Sequence, residues 1–288
     1  MIHDVRHRTV YTYGAPVSLS HHLAHLTPRA GPTQRVQASR IDIDPPPRRW
    51  VPGADPFGNP TLYFQIDEPH TRLTVLATAR IEVEPPESLN LAPTLPWEQV
   101  VQRAVYDPSL VDMTTPSAHV PDHREALAYG RESFPPHQPL LEGVRDLSRR
   151  IHQDFTFDPT ATTIATPLDR VLSQRRGVCQ DFAHLMLACL RGLGLPARYV
   201  SGYLETVPPP GVAKLQGADA SHAWVSVFCP GLGWVDVDPT NDLFPRDRHI
   251  VLAWGRDFAD VSPLKGVMHG GGAQTVEVGV DVVSLSTA

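Results

Sequence analysis

Where its prolines fall constrains this chain more than any other sequence feature. Thirty of its 288 residues are proline, about twice the usual share of ~5%. They punctuate residues 16 to 139 densely, and none lies between Pro167 and Pro196. Proline has no amide N–H and clashes with the preceding helical turn, so this window and the run after Pro139 are where long uninterrupted helices fit. The early part of the chain must be built mainly from strands and turns.

Val5 to Tyr13, Arg35 to Ile43, Thr61 to Ile66 and Thr71 to Val83 are short runs rich in Val, Ile, Thr, Tyr and Phe, several alternating apolar with polar. They predict an N-terminal antiparallel β-sandwich over residues 1–88. Residues 89–136 read as a proline-rich connector, with a short helix near Trp97 to Val105. The remaining unit, residues 137–288, mixes helix and strand. Leu141, Val144, Leu147 and Ile151 recur at three- and four-residue steps and predict an amphipathic helix over 140–155. Cys179 to Leu193 is apolar nearly all round and is closed by Gly192, Gly194 and Pro196, so this helix must be buried. Ala197 to Leu204, Ala223 to Cys229, Trp234 to Val237 and Gln274 to Leu285 read as strands. The expected class is α+β, with a buried helix packed on an antiparallel sheet.

A net charge of −6 and the lack of a long basic run argue against a nucleic-acid partner. No stretch approaches the roughly 18 apolar residues that span a bilayer, and Met1 to Tyr13 carries polar residues where a signal peptide has its apolar core. A cytoplasmic protein with no membrane partner is expected. The three cysteines, Cys179, Cys189 and Cys229, are odd in number and lack CxxC spacing, so neither a disulfide framework nor a structural zinc site is indicated. No metal or cofactor is expected. His21, His22 and His25 have no carboxylate beside them in the sequence and are expected on solvated surface.

Cys179 stands where a loop enters the buried helix. At a helix N-terminus, free backbone N–H groups and the positive end of the dipole favour a thiolate, which is the nucleophilic form. A base and an orienting carboxylate should then lie downstream. Ser221 to Phe228 alternates like a strand, with His222, Trp224, Ser226 and Phe228 on one face. Pro230 to Gly233 supplies a turn. A hairpin centred on residue 230 or 231 sets Asp238 opposite His222 or diagonal to it, within about 5–8 Å. Asp236 shares the same face but falls nearer Trp224 and the turn, so Asp238 is the favoured partner. Cysteine, histidine and aspartate in these places form a nucleophile, a general base and its orienter.

The blocks Gly177-Val178-Cys179-Gln180-Asp181-Phe182-Ala183-His184, Ala197-Arg198-Tyr199-Val200-Ser201-Gly202-Tyr203, Ser221-His222-Ala223-Trp224-Val225 and Gly233 through Asn241 resemble the prokaryotic transglutaminase-like family, whose core is similar to papain-type cysteine proteases. Pro16-Val17, Leu26-Thr27-Pro28-Arg29 and Asp55-Pro56-Phe57-Gly58-Asn59 resemble that family's bacterial N-terminal β region. The resemblance spans nearly the whole chain. It implies a Cys179, His222, Asp238 triad and acyl transfer through a thioester on a peptide or protein amide, ending in hydrolysis or in transfer to an amine. The competing expectation is an inactive module on the same fold that binds peptides or mediates assembly.

Gln174, five residues before Cys179, is a positional analogue of the papain-type glutamine, but no second oxyanion donor is assigned from the sequence. His184, about 140° round the helix from Cys179, reads as a packed structural group. The Pro- and Gly-rich connection from Glu205 to Ser221 feeds directly into His222 and reads as a lid.

Overall fold

The computed structural model describes residues 1–85, 91, 93–163, 166–206 and 220–285. The expected lid lies almost wholly outside the described residues.

The chain opens with five strands: β1 Ile2–Ala24, β2 Gln34–Asp44, β3 Arg49–Ala54, β4 Pro60–Ile66 and β5 His70–Val83. The sandwich is made by one continuous seven-stranded antiparallel sheet rather than two separate ones. Its hinge is β1. The first half of that strand pairs with β5 through Thr12, and the second half pairs with β4 from Ser20 to Ala24. The register breaks between Thr12 and Val17, across Gly14, Ala15 and Pro16. That is where a strand tolerates proline, because the ladder is interrupted there anyway. Both halves enclose one apolar core, including Tyr13, Val17, Leu62, Phe64, Leu73 and Val75. β3 escapes sequence patterning because it is exposed along its whole length; Pro52 within it is tolerated on this edge strand.

The middle of the chain holds α1 Trp97–Ala104, a 3₁₀ turn over Pro108–Met113, α2 Arg124–Arg131 and α3 Leu140–Asp154. Then come β6 Thr156–Phe157, α4 Leu168–Gln174, β7 Arg176–Gly177 and α5 Cys179–Gly192, followed by β8 Ala197–Leu204, β9 Ala220–Cys229, β10 Gly233–Val237 and β11 His249–Gly255. After α6 Phe258–Val261, β12 Leu264–Gly270 and β13 Gln274–Leu285 close the described chain. The core sheet is antiparallel, in the order β10-β9-β8-β11. α5 buries Phe182, Ala183, Leu185, Met186 and Leu187 in one cluster with Ala223, Val225 and Val227 of β9, as an all-round apolar helix must.

The expected boundary of the last unit needs correction. β12 and β13 belong to the N-terminal sheet, pairing Ala24 with Leu264 and Ile2 with Leu285. The unit assigned to 137–288 therefore gives its last strands back to the first one. The two sheets also share an apolar seam, in which Val5, Ile81 and Val282 meet Tyr203, Ile250 and Leu252. Among the described residues no helix is long and apolar enough to cross a membrane.

Candidate active site

Cys179 is the first residue of α5 and is partly exposed. The helix start is secured by Asp181, whose Oδ2 accepts the Val178 N–H at 2.8 Å and the Thr162 hydroxyl at 2.6 Å. A carboxylate at the third helical position reaching back to the cap residue is half of a capping box. Asp181 thus orders the turn that presents the thiol.

The β9–β10 hairpin pairs Cys229 with Gly233 and Ser226 with Asp236. This register centres the turn on residue 231 and leaves Asp238 diagonal to His222, one of the two expected placements. His222 Nε2 donates to Asp238 Oδ2 at 2.8 Å, and the ring also forms a side-chain hydrogen bond with Cys179. Because Nε2 is spent on the carboxylate, Nδ1 is the ring atom left for the thiol. Asp236 goes elsewhere: its Oδ2 accepts the Trp224 indole N–H at 3.1 Å.

Asp238 has no exposed surface. Its Oδ2 accepts from His222, from His249 Nε2 at 2.9 Å and from Asn241 Nδ2 at 2.7 Å, and its Oδ1 accepts the backbone N–H groups of Thr240 and Asn241 at 3.0 and 3.3 Å. Burial alone would raise the carboxyl pKa, but these donors hold it well below the ordinary carboxylate range. Burial likewise opposes charge on His222. Hydrogen bonds to Asp238 and Cys179, with the charges behind them, outweigh it and raise the ring from 6.5 to about 10. A charged imidazolium beside the helix-terminal Cys179 side chain is therefore favoured.

Sequence reasoning missed His249, although the apolar run Ile250-Val251-Leu252-Ala253-Trp254 that follows it is the signal of a buried strand. Which residue the first position of β11 meets is decided only by tertiary packing, which brings it to Asp238. Asn241 closes the Gly233 to Asn241 block of the sequence, and only the structure shows its amide donating to Asp238. His222 Nε2, Asp238 Oδ2 and His249 Nε2 all lie within 4.8 Å of one another, a grouping that could hold a metal ion. Both nitrogens are already spent as donors to the same carboxylate oxygen, so the cluster is a closed hydrogen-bonded set.

Other expectations resolve more simply. Gln174 ends α4 and is exposed. His184 is buried, stacks on His119 at 5.3 Å and accepts the Phe258 N–H at 3.3 Å, the structural role expected of it. His22 and His25 are a correction, since both are buried rather than solvated. His22 stacks on Phe64 at 4.7 Å, whereas His25 lies 3.3 Å from the Asp55 carboxylate. That partner is distant in sequence and close only in the fold. Cys189 and Cys229 are buried, which pushes their thiols up to about 12 and about 11.

Comparison with known proteins agrees with this architecture. Residues 3–82 match the bacterial transglutaminase-like N-terminal region, and residues 129–239, which contain Cys179, His222 and Asp238, match the transglutaminase-like superfamily. An uncharacterised protein of Mycobacterium tuberculosis is 43% identical, over 97% of this chain and 91% of its own. A protein-glutamine gamma-glutamyltransferase of Pseudomonas aeruginosa is 31% identical across 52% of this chain, which is 23% of the relative. Among solved structures, a proposed cysteine protease from Cytophaga hutchinsonii superposes with a TM-score of 0.78 at 20% identity, over all of this chain and 92% of its own. That likeness extends the shared fold from the core to both sheets. With both regions matched in order along one chain, and a relative sharing almost its whole length, this protein belongs to the transglutaminase-like superfamily.

Proposed function

We propose that this chain is a cysteine-dependent amide or peptide hydrolase acting through a thioacyl-enzyme. The observation that carries this reading is the continuous relay from the helix-terminal Cys179 through His222 to the buried Asp238 carboxylate. The Cys179 thiolate attacks the carbonyl of a peptide or protein amide. The oxyanion forms beside the free N–H groups of the α5 N-terminus. His222 gives a proton to the leaving amine, which departs as the thioester forms. It then takes one from water, and the hydroxide so generated attacks the thioester, releasing the acid and the thiolate. Asp238 holds the ring in register throughout. Attack by an amine in place of water gives transglutamination, and the two outcomes compete for one thioester.

The test is acyl transfer from a peptide library, with and without added primary amine. The wild type is expected to release ammonia or peptide amines, and Cys179→Ala to lose this activity while keeping its circular dichroism. Iodoacetamide should label Cys179 before Cys189 or Cys229. No thioester trapped by any amide, with Cys179 inert in folded protein, would leave the inactive binding module as the better reading. The same proposal places the enzyme in the cytoplasm, where a thiolate stays reduced; recovery of the protein in a membrane or secreted fraction would overturn that placement.

A further inference from the structure

The core sheet ends at β11, and an edge strand leaves a row of backbone groups to be satisfied. Here side chains from the N-terminal sheet region satisfy them. Gln34 donates to the Val251 carbonyl at 2.7 Å and accepts the Val251 N–H at 2.8 Å. Asn59 does the same for Trp254, donating to its carbonyl at 2.7 Å and accepting its N–H at 3.0 Å. Both amides are buried, and the register irregularity between Val251 and Ala253 lies between the two residues they hold. They act as two rungs of a strand that is not there. The strand held this way begins at His249.

We propose that His249 is a positioning residue of the site, sharing the Asp238 carboxylate with His222 so that the His222 imidazolium is held firmly in orientation but not too tightly in charge. The proposal rests on the reading of Cys179, His222 and Asp238 as catalytic. His222, His249 and Asn241 all donate to Asp238 Oδ2, and one carboxylate oxygen offers only two lone pairs to divide among them. Each bond from His249 withdraws negative charge from the bond to His222. A ring held too strongly as the cation is a good partner for the thiolate but a poor proton donor to the leaving amine. The titratable groups facing His222 are Cys179 from α5, Asp238 at the end of β10 and His249 from β11, with the Trp224 ring between it and Asp236. His249 also packs edge-on against Trp224, with ring centroids 5.2 Å apart, which fixes its plane. It opposes charge on His222 in either of its own states: neutral, by competing for Oδ2, and protonated, by repulsion.

The test follows iodoacetamide alkylation of Cys179 from pH 5 to pH 11 in the wild type, His249→Phe and His249→Gln. Phenylalanine keeps the ring volume and removes the donor, whereas glutamine keeps an N–H at about the same reach. In His249→Phe the upper limb, where the imidazolium loses its proton, should move up by about half to one pH unit, and kcat on an amide should fall about tenfold with KM unchanged. His249→Gln should restore both. A residue that only filled space would slow the reaction without moving the limb, so an unmoved limb in folded His249→Phe overturns the proposal. Should that variant not fold, imidazole nitrogen spectra of the wild type decide: a His249 Nε2–H proton persistent at pH 8 supports the sharing, and its absence refutes it. A moved limb in a protein that cleaves no amide would refute only the hydrolase reading.

Discussion

Replacing Asp238 by asparagine separates a carboxylate that works from one that merely lies nearby. Asp238 Oδ2 accepts three donors and Oδ1 accepts two backbone N–H groups. Asparagine has one acceptor oxygen, so in either orientation its NH₂ faces two or three donors. Hydrogen bonds to a charged group are worth about 1.5–3 kcal/mol each, and two lost inside the protein give about 3 kcal/mol or more of destabilisation after partial relaxation. The catalytic cost follows from the ring. The difference between 6.5 and about 10 for His222 corresponds to ~5 kcal/mol of preference for the charged form at ~1.4 kcal/mol per pH unit, as an upper bound. Without the carboxylate, burial dominates and the ring becomes neutral. A fall in kcat/KM on the order of 10³–10⁴ is expected, as when the orienting carboxylate of a serine-protease triad is replaced. Asp236→Asn is the control. The Trp224 indole N–H it accepts can be taken over by the amide oxygen, and what is lost is its charge near the buried Arg198 guanidinium, so the cost should stay near about 1 kcal/mol, the usual size of a single substitution. Urea unfolding and the pseudo-first-order alkylation rate of Cys179 at pH 7 measure both effects. Equal losses in the two variants, or an Asp238→Asn protein that alkylates at the wild-type rate, would refute this account of the site.

Acid should destabilise the fold well before its carboxylates titrate. Burial lowers His7 and His22 to about 4 and His184 to about 3, so below pH 6.5 the unfolded chain takes up protons that the folded one refuses. Stability should fall from about pH 6.5 to pH 4, by up to about 3 kcal/mol for each of His7 and His22, and equal urea midpoints at pH 7.5 and 4.5 would contradict this. Gly202→Ala should be strongly destabilising, because a Cβ there meets the Ile250 carbonyl oxygen and lies 2.5 Å from the Trp224 ring. Overpacking of this kind costs about 1–3 kcal/mol. Since Trp224 stacks on His222 at 6.0 Å, the folded variant should also alkylate more slowly at Cys179, and an unchanged Tm would show that the close packing is relieved elsewhere.

Local patterning carried most of the core and half of the site. Proline spacing placed α3 and α5, period-two alternation put His222 and Asp238 on one face, and the short turn at 230–233 limited their pairing to two registers. Each of these depends on residues close together in the chain, where backbone sterics and side-chain period decide. What joins distant segments was not legible. Ile2 pairs with Leu285, His25 meets Asp55, Gln34 and Asn59 complete the edge of β11, and His249 arrives at Asp238 from a strand whose pairing partner lies over forty residues away in the chain. These contacts form because an unpaired edge, a buried imidazole and a buried carboxylate each cost free energy until a partner is found. Local sequence sets what must be satisfied; only the closed tertiary structure decides which distant residue satisfies it.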